Sequence, residues 1–453
     1  MNPNAGIIDS SIYRAIFGST AMRATWSDEA RIQRYLDVER ALAETQAELG
    51  IIPAEAAAEI ARHCHVGEFN FDVLRQATEH IGYPVLPVVE QLVALCADGL
   101  GQWCHWGATT QDITDTATVL QIASTLDYAD AKLVEIGDHL AGVASTYRDT
   151  PMVGRSNLQQ AIPMTFGYKA AVWLAGIERC LERSAQLRPR VLMGEFGGAV
   201  GTLASLGNHG LAVQEGVCAR LGLATPPIAW HTVRDTIAET GVFLALTCGQ
   251  IEKIAFDIKI MAATEIGEVQ EPDGGGGRGA SSTMPQKRNP ISCAYITGCT
   301  AVVRQHAAAL LTAQAADFER ATGPWEIEWI ALPEIACLAG GILDQAAFLL
   351  GGLVVHPDAM ARNLRLTDGL VNTEAVMMAL APKLGRQAAH DVLSEIARDV
   401  AAGKGRLIDL LSADKSIAAI LTRSELEHLL DPCAYLGASG EMADRVLARR
   451  DAC

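Results

Sequence analysis

The stretch VLQIASTLDYADAKLVEIGDHLAGV, from Val119 to Val143, decides the fold. Its apolar residues recur every three or four positions, which is the period of one face of an α-helix. A repeat close to about 3.5 residues predicts a long helix that packs nearly parallel to its neighbours in a bundle. The apolar stripe consists of Val119, Ile122, Leu126, Ala129, Leu133, Ile136, Leu140 and Val143.

A second stripe of the same period predicts another long helix. It ends on an acid, Glu265, where the core pattern calls for an apolar residue. We therefore expect Glu265 and the nearby Glu268 to lie beside polar partners. The stripe runs through Leu244, Cys248, Ile251, Ile254, Ile258 and Met261.

Proline placement predicts where the remaining long helices lie, because proline inside a helix removes a hydrogen bond and clashes with the preceding turn. Strand signals are weak, and aromatic residues make up only 5% of the chain. We predict a mainly α fold with an N-terminal helical domain at 1–104, a central long-helix bundle at 105–355 and a small C-terminal helical domain at 356–453. The long proline-free intervals are 88–150, 164–187, 228–271, 291–323 and 334–356.

Composition narrows the class of partner. The 453 residues carry a net charge of -17, which argues against nucleic acid and anionic membranes as partners. The apolar stretch 336–355 contains Asp344 and Gln345, so we expect a buried helix and not a membrane span. The first residues, MNPNAGIIDSSIYR, lack the pattern of a secretory signal, and a cytoplasmic location is expected. The eleven cysteines form no CxxC pair and predict reduced thiols without disulfides.

The segment GGGGRGASSTMPQKRNP, 274–290, is the strongest candidate for chemistry. Its glycines allow a mobile loop, and Pro290 is expected just inside a new helix with Asn289 as the N-cap. Backbone N–H groups and positive side chains can stabilise a serine alkoxide, so Ser281 or Ser282 could abstract a carbon-bound proton.

Other interpretations of this glycine-rich segment are less specific. It could be a flexible linker followed by a helix cap. Its glycines formally match GxGxxG, but a helical stripe and no strand precedes them, which argues against a dinucleotide site. A phosphate-binding Walker loop is excluded because no glycine-lysine-serine or threonine follows at the required spacing.

The loop resembles the SSxMPxKxNP signature of the fumarase/aspartase superfamily. The segments HWGATTQDITDT at 105–116 and PMVGRSNLQQAIPMTFGYK at 151–169 resemble the other active-site segments of that family. WHTVRDTIAE at 230–239 and ERATGPWEIEWIALPE at 319–334 are most similar to the branch that holds 3-carboxy-cis,cis-muconate cycloisomerase, with adenylosuccinate lyase close to it. Together these segments extend the resemblance over nearly the whole chain.

The resemblance implies a homotetramer whose protomers build a central helical bundle, with each active site assembled from three chains and no cofactor. It implies that Ser281 is the base, and that Lys287 and Asn289 hold a substrate carboxylate and stabilise the dianion left by proton removal. Thr109 and Thr110 would bind another carboxylate at the positive end of a helix. Without the resemblance, helix capping by threonine and Asp112 explains that turn equally well.

Further positions follow from the same resemblance. Arg155 and Gln159 match the family's GRTxxQ pattern, and Arg320 matches an arginine that contacts substrate from a neighbouring chain. The arginines could instead form ion pairs at an interface. His231 is a catalytic candidate, although a buried histidine is more often simply packed and hydrogen-bonded.

Two departures from the family concern the general acid. Fumarases and adenylosuccinate lyases carry a histidine where this chain has Asn157, and the cycloisomerase carries one where it has Gln160. Neither side chain can supply a proton at neutral pH. Either the leaving group needs no acid, or His105 or His231 supplies the proton. His63, Cys64 and His65 have no second pair of ligands at a recognisable spacing, so no metal site is predicted.

These observations predict a lyase or cycloisomerase in which Ser281 is a base that removes the proton next to one carboxylate of a small di- or tricarboxylate and leaves an aci-carboxylate carbanion. Its activity is expected to be most like that of 3-carboxy-cis,cis-muconate cycloisomerase. One alternative is a fumarate-releasing lyase that cleaves a carbon-nitrogen or carbon-oxygen bond in a succinyl compound, like adenylosuccinate lyase. A second alternative, from another class, is an inactive helical scaffold.

Overall fold

The protein is described by a computed structural model that covers residues 8, 10–14 and 16–451. The fold is mainly helical, as predicted. The helices are α1 (Thr20–Thr25), α2 (Asp28–Glu48), α3 (Ala54–His63), α4 (Phe71–Ile81), α5 (Val85–Leu95), α6 (Thr110–Thr146), α7 (Phe166–Val191), α8 (Gly210–Leu221), α9 (Asp235–Met261), α10 (Ile291–Ala313), α11 (Pro324–Gly351), α12 (Pro357–Leu364), α13 (Thr373–Leu384), α14 (Arg386–Ala401), α15 (Leu407–Ala413), α16 (Lys415–Ala418), α17 (Arg423–Leu429) and α18 (Ser439–Asp451).

The first apolar stripe lies in α6, which confirms the long helix predicted for it. Every stripe residue from Val119 to Leu140 is at most 1% exposed. The second stripe lies in α9, and its members are likewise buried. Helix α9 ends at Met261, so Glu265 lies beyond the helix and not on its last turn.

The prolines inside helices include Pro382 in α13 and two others at positions where helix ends were predicted. Pro189 is within α7 and Pro333 is within α11. Helix α11 is long and apolar enough to cross a membrane, but 72% of its most apolar window is buried within the protein. It is therefore packed as a core helix, as expected for the apolar stretch at 336–355.

The structure also contains strands that the sequence analysis did not predict. Strand β1 (Pro151–Ser156) pairs antiparallel with β2 (Gln159–Thr165), and β3 (Val269–Gln270) pairs antiparallel with β4 (Val354–Val355). The β1–β2 hairpin turns at Asn157 and Leu158, whose φ angles are 51° and 64°. Two successive positive φ angles are typical of the tight hairpin turn that matches strand twist.

The contacts of the chain group it into two units, each made of several segments. The first unit comprises 1–133, 180–252 and 295–345, and one of its hydrophobic clusters is built around Leu36, Ile60 and Leu92. The second comprises 134–179, 253–294 and 346–453, and one of its clusters contains Leu380 and Leu411. The three-domain division at 104 and 355 remains a prediction.

Candidate active site

The serine-containing loop lies in the second unit and has a defined neck. The carbonyl oxygen of Gly279 accepts hydrogen bonds from both the backbone N–H and the side-chain amide of Asn289, each at 2.9 Å. Ala280 and Arg288 form an antiparallel bridge next to this contact. A Cβ at residue 279 would lie 2.5 Å from the Asn289 carbonyl oxygen, and φ is +73° there. Glycine is therefore required at the neck.

Ser281 is the serine whose hydroxyl is held by backbone donors. Its Oγ accepts the N–H of Met284 at 3.1 Å and the N–H of Thr283 at 3.3 Å. Two donors aimed at one hydroxyl oxygen stabilise negative charge on that oxygen. This geometry favours Ser281 over Ser282 as the reactive residue, and both assignments remain predictions.

The helix that follows the loop is not capped by Asn289, contrary to the prediction. The Glu271 carboxylate accepts the N–H groups of Ser292 at 3.1 Å and Cys293 at 2.9 Å, and α10 begins at Ile291, one residue after Pro290. A carboxylate at this position satisfies exposed helix donors and the positive end of the helix dipole. An anion near the loop must therefore be held mainly by positive side chains.

A cavity of about 790 Å³ lies beside the loop in the second unit. Positive side chains outnumber acids along its wall, although the chain as a whole carries -17. One of the arginines, Arg288, is paired with Asp273 at 2.9 Å. The cavity therefore supplies the local positive charge that an anionic substrate needs. Its charged wall residues are Lys259, Arg278, Lys287, Arg288, Glu271 and Asp273.

Arg155 lies on β1 and its charge is matched within the second unit. Its two terminal nitrogens donate to the fully buried Glu268 carboxylate at 2.8 and 2.7 Å. Asn363 donates to the same carboxylate at 2.8 Å. The prediction that Glu268 has a polar partner is thus confirmed. This pair is the ion-pair alternative for Arg155, formed within one chain, and its role in substrate binding stays a prediction.

The β1–β2 hairpin also carries the positions where the family histidines are missing. Asn157 is in the turn, and Gln159 is exposed at the start of β2. Gln160 points inward and donates to the carbonyl oxygen of Asn363 at 3.0 Å. Neither Asn157 nor Gln160 replaces the acid function that the resemblance assigns to this region.

In the first unit, Thr109 and Thr110 form the turn at the start of α6. The N–H of Thr109 donates to Asp112 Oδ2 at 2.9 Å, which is the capping arrangement that the sequence left open for Asp112. The hydroxyl of Thr109 accepts a hydrogen bond from Arg320 at 2.8 Å. Arg320 therefore contacts this turn within its own chain, and its expected contact with substrate from a neighbouring chain remains a prediction.

His231 is buried, with 4% of its surface exposed. Its Nε2 lies 2.8 Å from Asp112 Oδ1 and 3.3 Å from Glu195 Oε1. Burial and, to a smaller extent, the nearby Asp115 and Asp112 carboxylates raise the pKa of the Glu195 carboxyl to about 9, although the Trp230 N–H lowers it. Glu195 is not among the residues predicted from sequence, although it is an acid between apolar residues and glycines at 192–201.

His105 lies in a different environment in the first unit. The ring nitrogen Nδ1 of His105 is 2.6 Å from Glu39 Oε1. The backbone N–H of His105 donates to the other carboxylate oxygen of Glu39 at 3.1 Å. Burial opposes charge on the ring, but the Glu39 carboxylate outweighs it and raises the pKa of His105. The ring is therefore more often protonated at neutral pH than a free histidine.

Two smaller expectations concern histidine and cysteine. His63 lies 2.8 Å from Glu68 and 3.4 Å from Glu59, so it belongs to an ion-pair cluster beside the buried Cys64. The ten cysteines within the described residues are present as thiols, and most of them are buried.

Comparisons with known proteins establish the class. Residues 13–304 match the family model described as Lyase, and residues 369–446 match that of the adenylosuccinate lyase C-terminus. The chain belongs to this lyase family of the fumarase/aspartase superfamily, and it is an enzyme. The scaffold alternative is therefore set aside.

Particular relatives narrow the branch. The chain is 52% identical to trans-aconitate decarboxylase 1 of Mycosarcoma maydis, over 96% of this chain and 88% of that protein. It is 40% identical to 3-carboxy-cis,cis-muconate cycloisomerase of Bradyrhizobium diazoefficiens, over 97% of this chain and 98% of that protein. A solved fumarate lyase from Mesorhizobium sp. BNC1 is 47% identical, with a TM-score of 0.89 over 95% of this chain and 98% of that one.

Proposed function

We propose that this enzyme acts on a small tricarboxylate and that trans-aconitate, which it decarboxylates, is its first candidate substrate. The observation that carries the proposal is the 52% identity to a trans-aconitate decarboxylase over 96% of the chain. The positively lined cavity beside the Ser281 loop supports a substrate with several carboxylates. The proposal differs from the cycloisomerase expected from sequence, which is kept as the second candidate.

The missing histidines support a reaction whose leaving group needs no proton. An amine leaving group must be protonated, whereas CO2 departs as a neutral molecule and a carboxylate departs as a stable anion. Asn157 and Gln160, which cannot donate a proton at neutral pH, are therefore compatible with decarboxylation and with lactone chemistry. They argue against a carbon-nitrogen lyase of the adenylosuccinate type.

The proposed reaction balances with one proton donor. The bond from the CH2 carbon to its carboxylate breaks, and its electron pair forms a new double bond to the central carbon. The electrons of the original double bond move to the outer carbon, which takes the hydroxyl proton of Ser281. Ser281 is therefore the acid in this proposal, the reverse of the base role predicted from sequence. Solvent then returns a proton to the Ser281 alkoxide. Each turnover consumes one proton and releases one CO2 and a methylene-substituted succinate.

The chain's own residues supply charge stabilisation in this scheme. Negative charge spreads onto the carboxylate next to the protonated carbon, and we assign Lys287 and Asn289 to that group. The N–H groups of Thr283 and Met284 stabilise the transient alkoxide. Thr109, Thr110 and Arg320 are assigned to a second carboxylate, and Arg155 and Gln159 to substrate orientation. His105, partly exposed and with a raised pKa, is the candidate that relays the solvent proton.

The second candidate is 3-carboxy-cis,cis-muconate cycloisomerisation. It is favoured by the 40% identity to an enzyme of that name over almost the whole of both chains. In that reaction a substrate carboxylate adds across a double bond, and the neighbouring carbon takes the proton of Ser281. The same serine and the same charge-stabilising residues serve both reactions.

A homotetramer in the cytoplasm is part of the proposal. The long helices α9, α10 and α11 leave large apolar side chains exposed on the single chain, which is typical of surfaces that subunits cover. Burial of these faces between four copies would form the helical bundle expected from sequence. The side chains are Leu246, Phe256, Val302, Leu311, Ile330 and Phe348.

The test is turnover of trans-aconitate followed by proton NMR and CO2 release, with Ser281→Ala and the matched control Ser282→Ala. We expect wild type and Ser282→Ala to release CO2 and form a methylene-substituted succinate, and Ser281→Ala to lose at least roughly a hundredfold in rate. Loss of the diene absorbance of 3-carboxy-cis,cis-muconate without CO2 release from trans-aconitate would instead select the second candidate. Inactivity of wild type on both compounds would overturn both assignments.

A further inference from the structure

Behind the Thr109–Thr110 turn lies a buried cluster of one histidine and two carboxylates in the first unit. Asp112 is 0% exposed, Glu195 is 1% exposed and His231 is 4% exposed. Three ionisable groups removed from water together are costly unless their hydrogen bonds fix one arrangement of protons. The contacts of the cluster therefore indicate which of its three groups carry protons.

Asp112 is the centre of this cluster. Its Oδ2 accepts the N–H groups of Thr109 and Gly198, both at 2.9 Å. Its Oδ1 accepts the N–H of Gly197 at 2.9 Å and lies 2.8 Å from His231 Nε2. Both oxygens of Asp112 are therefore occupied as hydrogen-bond acceptors. With two donors on each oxygen, the cluster is hydrogen-bonded and a bound cation is not needed to explain it.

The proton on His231 follows from that arrangement. Nε2 must carry its hydrogen to donate to Asp112, so it cannot also accept a hydrogen from Glu195, which lies 3.3 Å away. The Oε1 oxygen of Glu195 is buried and accepts no hydrogen bond from the described residues. Among the described residues, a charged Oε1 would have near it only the His231 N–H at 3.3 Å, which is already donated to Asp112, and the more distant charge of Arg234, whereas a protonated carboxyl has no charge to compensate. The raised pKa of Glu195 agrees with this geometry.

We propose that Asp112, His231 and a protonated Glu195 form a positioning network that holds the Thr109–Thr110 turn ready to bind a substrate carboxylate. The network acts through Thr109, whose backbone N–H donates to Asp112. The hydroxyl of Thr109 accepts a hydrogen bond from Arg320. None of the three residues is assigned a contact with substrate. The part of the inference that concerns substrate rests on the proposed function, whereas the ordering of the turn does not.

The proposal makes the turn sensitive to alkaline pH through Glu195. A second negative charge beside Asp112 would compete for the N–H of His231 and repel the carboxylate that holds Thr109. A loosened turn would bind less well the substrate carboxylate that is assigned to Thr109 and Thr110. Because that carboxylate does not react, its weaker binding raises KM more than it lowers kcat. The titratable and charged groups that face Glu195 are Asp112 and Asp115 from α6, Cys218 from α8, and His231 and Arg234 from the segment before α9.

The first test needs no substrate. Hydrogen exchange at pH 7 is followed by mass spectrometry in peptides that contain Thr109, Gly197 and Gly198, the three amides that donate to Asp112. We expect Asp112→Asn and His231→Ala to lose protection there by roughly tenfold or more. His231→Gln, whose amide can still donate, should restore most of it. His306→Gln is the matched control, because His306 also pairs with a carboxylate, Glu334 at 2.7 Å, but lies outside the network.

The second test compares KM for trans-aconitate between pH 7 and 10 in wild type and Glu195→Gln. Glutamine keeps an acceptor for Trp230 but cannot ionise, so we expect KM to rise at alkaline pH in wild type by roughly tenfold and to rise less in the variant. An effect of alkaline pH on any group other than Glu195 is common to both proteins and cancels in the comparison.

The outcomes separate the two proposals. Unchanged protection in both Asp112→Asn and His231→Ala would overturn the network. Identical KM profiles in wild type and Glu195→Gln would overturn the role of Glu195. Lost protection in an enzyme that turns over no tricarboxylate would refute the proposed function while leaving the network supported by exchange.

Discussion

Replacement of Glu195 by glutamine should change how the stability of the enzyme depends on pH. Glu195 has a pKa of about 9 in the folded protein against 4.5 as its ordinary value. A folded-state pKa above the unfolded one means that the native protein keeps a proton which the unfolded chain releases. The stabilisation from that proton is complete below pH 4.5 and is lost steadily as pH rises towards 9.

The size of the effect follows from the linkage slope. Each pH unit inside the window lowers the free energy of unfolding of wild type by about 1.4 kcal/mol relative to a variant that cannot ionise. Between pH 5 and pH 8 the difference accumulates to about 4 kcal/mol. The entropy of unfolding is about 2.1 cal/mol/K per residue. For a chain of this length, each kcal/mol of change in the free energy of unfolding therefore shifts the Tm by about 1 °C. The Tm of Glu195→Gln relative to that of wild type should therefore rise by about 4 °C from pH 5 to pH 8.

The assay is thermal unfolding followed by circular dichroism at constant ionic strength, from pH 5 to pH 8. Glu59→Gln is the matched control, because Glu59 is also buried but accepts the N–H of Ala97, which lowers its pKa. A lowered carboxyl pKa stabilises the folded state by a constant amount above the unfolded pKa of about 4.5, so the Tm of this variant should lie below that of wild type by a nearly constant amount from pH 5 to pH 8. Parallel Tm curves for wild type and Glu195→Gln would refute the argument that Glu195 is protonated in the folded enzyme.

Two further predictions concern the second unit. Gly279→Ala should lower kcat/KM by at least roughly tenfold, because its Cβ would lie 2.5 Å from the Asn289 carbonyl oxygen at the loop neck. Gly277→Ala, with its nearest contact at 3.7 Å, is the control in the same steady-state assay, and equal losses in both variants would contradict the neck argument. Glu268→Gln should lower the free energy of unfolding in urea by about 3 kcal/mol, because it breaks a buried ion pair. Glu252→Gln, which breaks the more exposed pair with Arg304, should cost about 1 kcal/mol or less, and a similar loss in both would show that burial does not set the cost.

The long helices could be predicted from sequence because their signal is local. The stripe from Val119 to Leu140 repeats with the helical period, and its residues are buried on one face of α6 along its length. The β1–β2 hairpin escaped notice because its turn is Asn-Leu and not Asn-Gly, and Pro163 lies in β2. Helices α7 and α11 continue through Pro189 and Pro333, so the surrounding packing outweighs the local cost of proline.

The candidate site was predictable only where motifs are contiguous. The Ser281 loop and the Thr109–Thr110 turn stand out as short segments with specific residue types. Glu195 and Glu271 did not, because their roles depend on partners distant in sequence: Asp112 and His231 for the first, and the start of α10 for the second. A single sequence carries no spacing rule that links such residues.

The turn at Asn157 also bears on how this enzyme's chemistry could have diverged. The residue has φ of 51°, in the left-handed region where asparagine and histidine are both enriched among non-glycine residues. The codons for these two amino acids differ at one base. An ancestral gene could therefore gain or lose an ionisable side chain at this corner by a single point mutation, while the hairpin backbone stayed as it was. Reaction type in such a lineage can change before the architecture does.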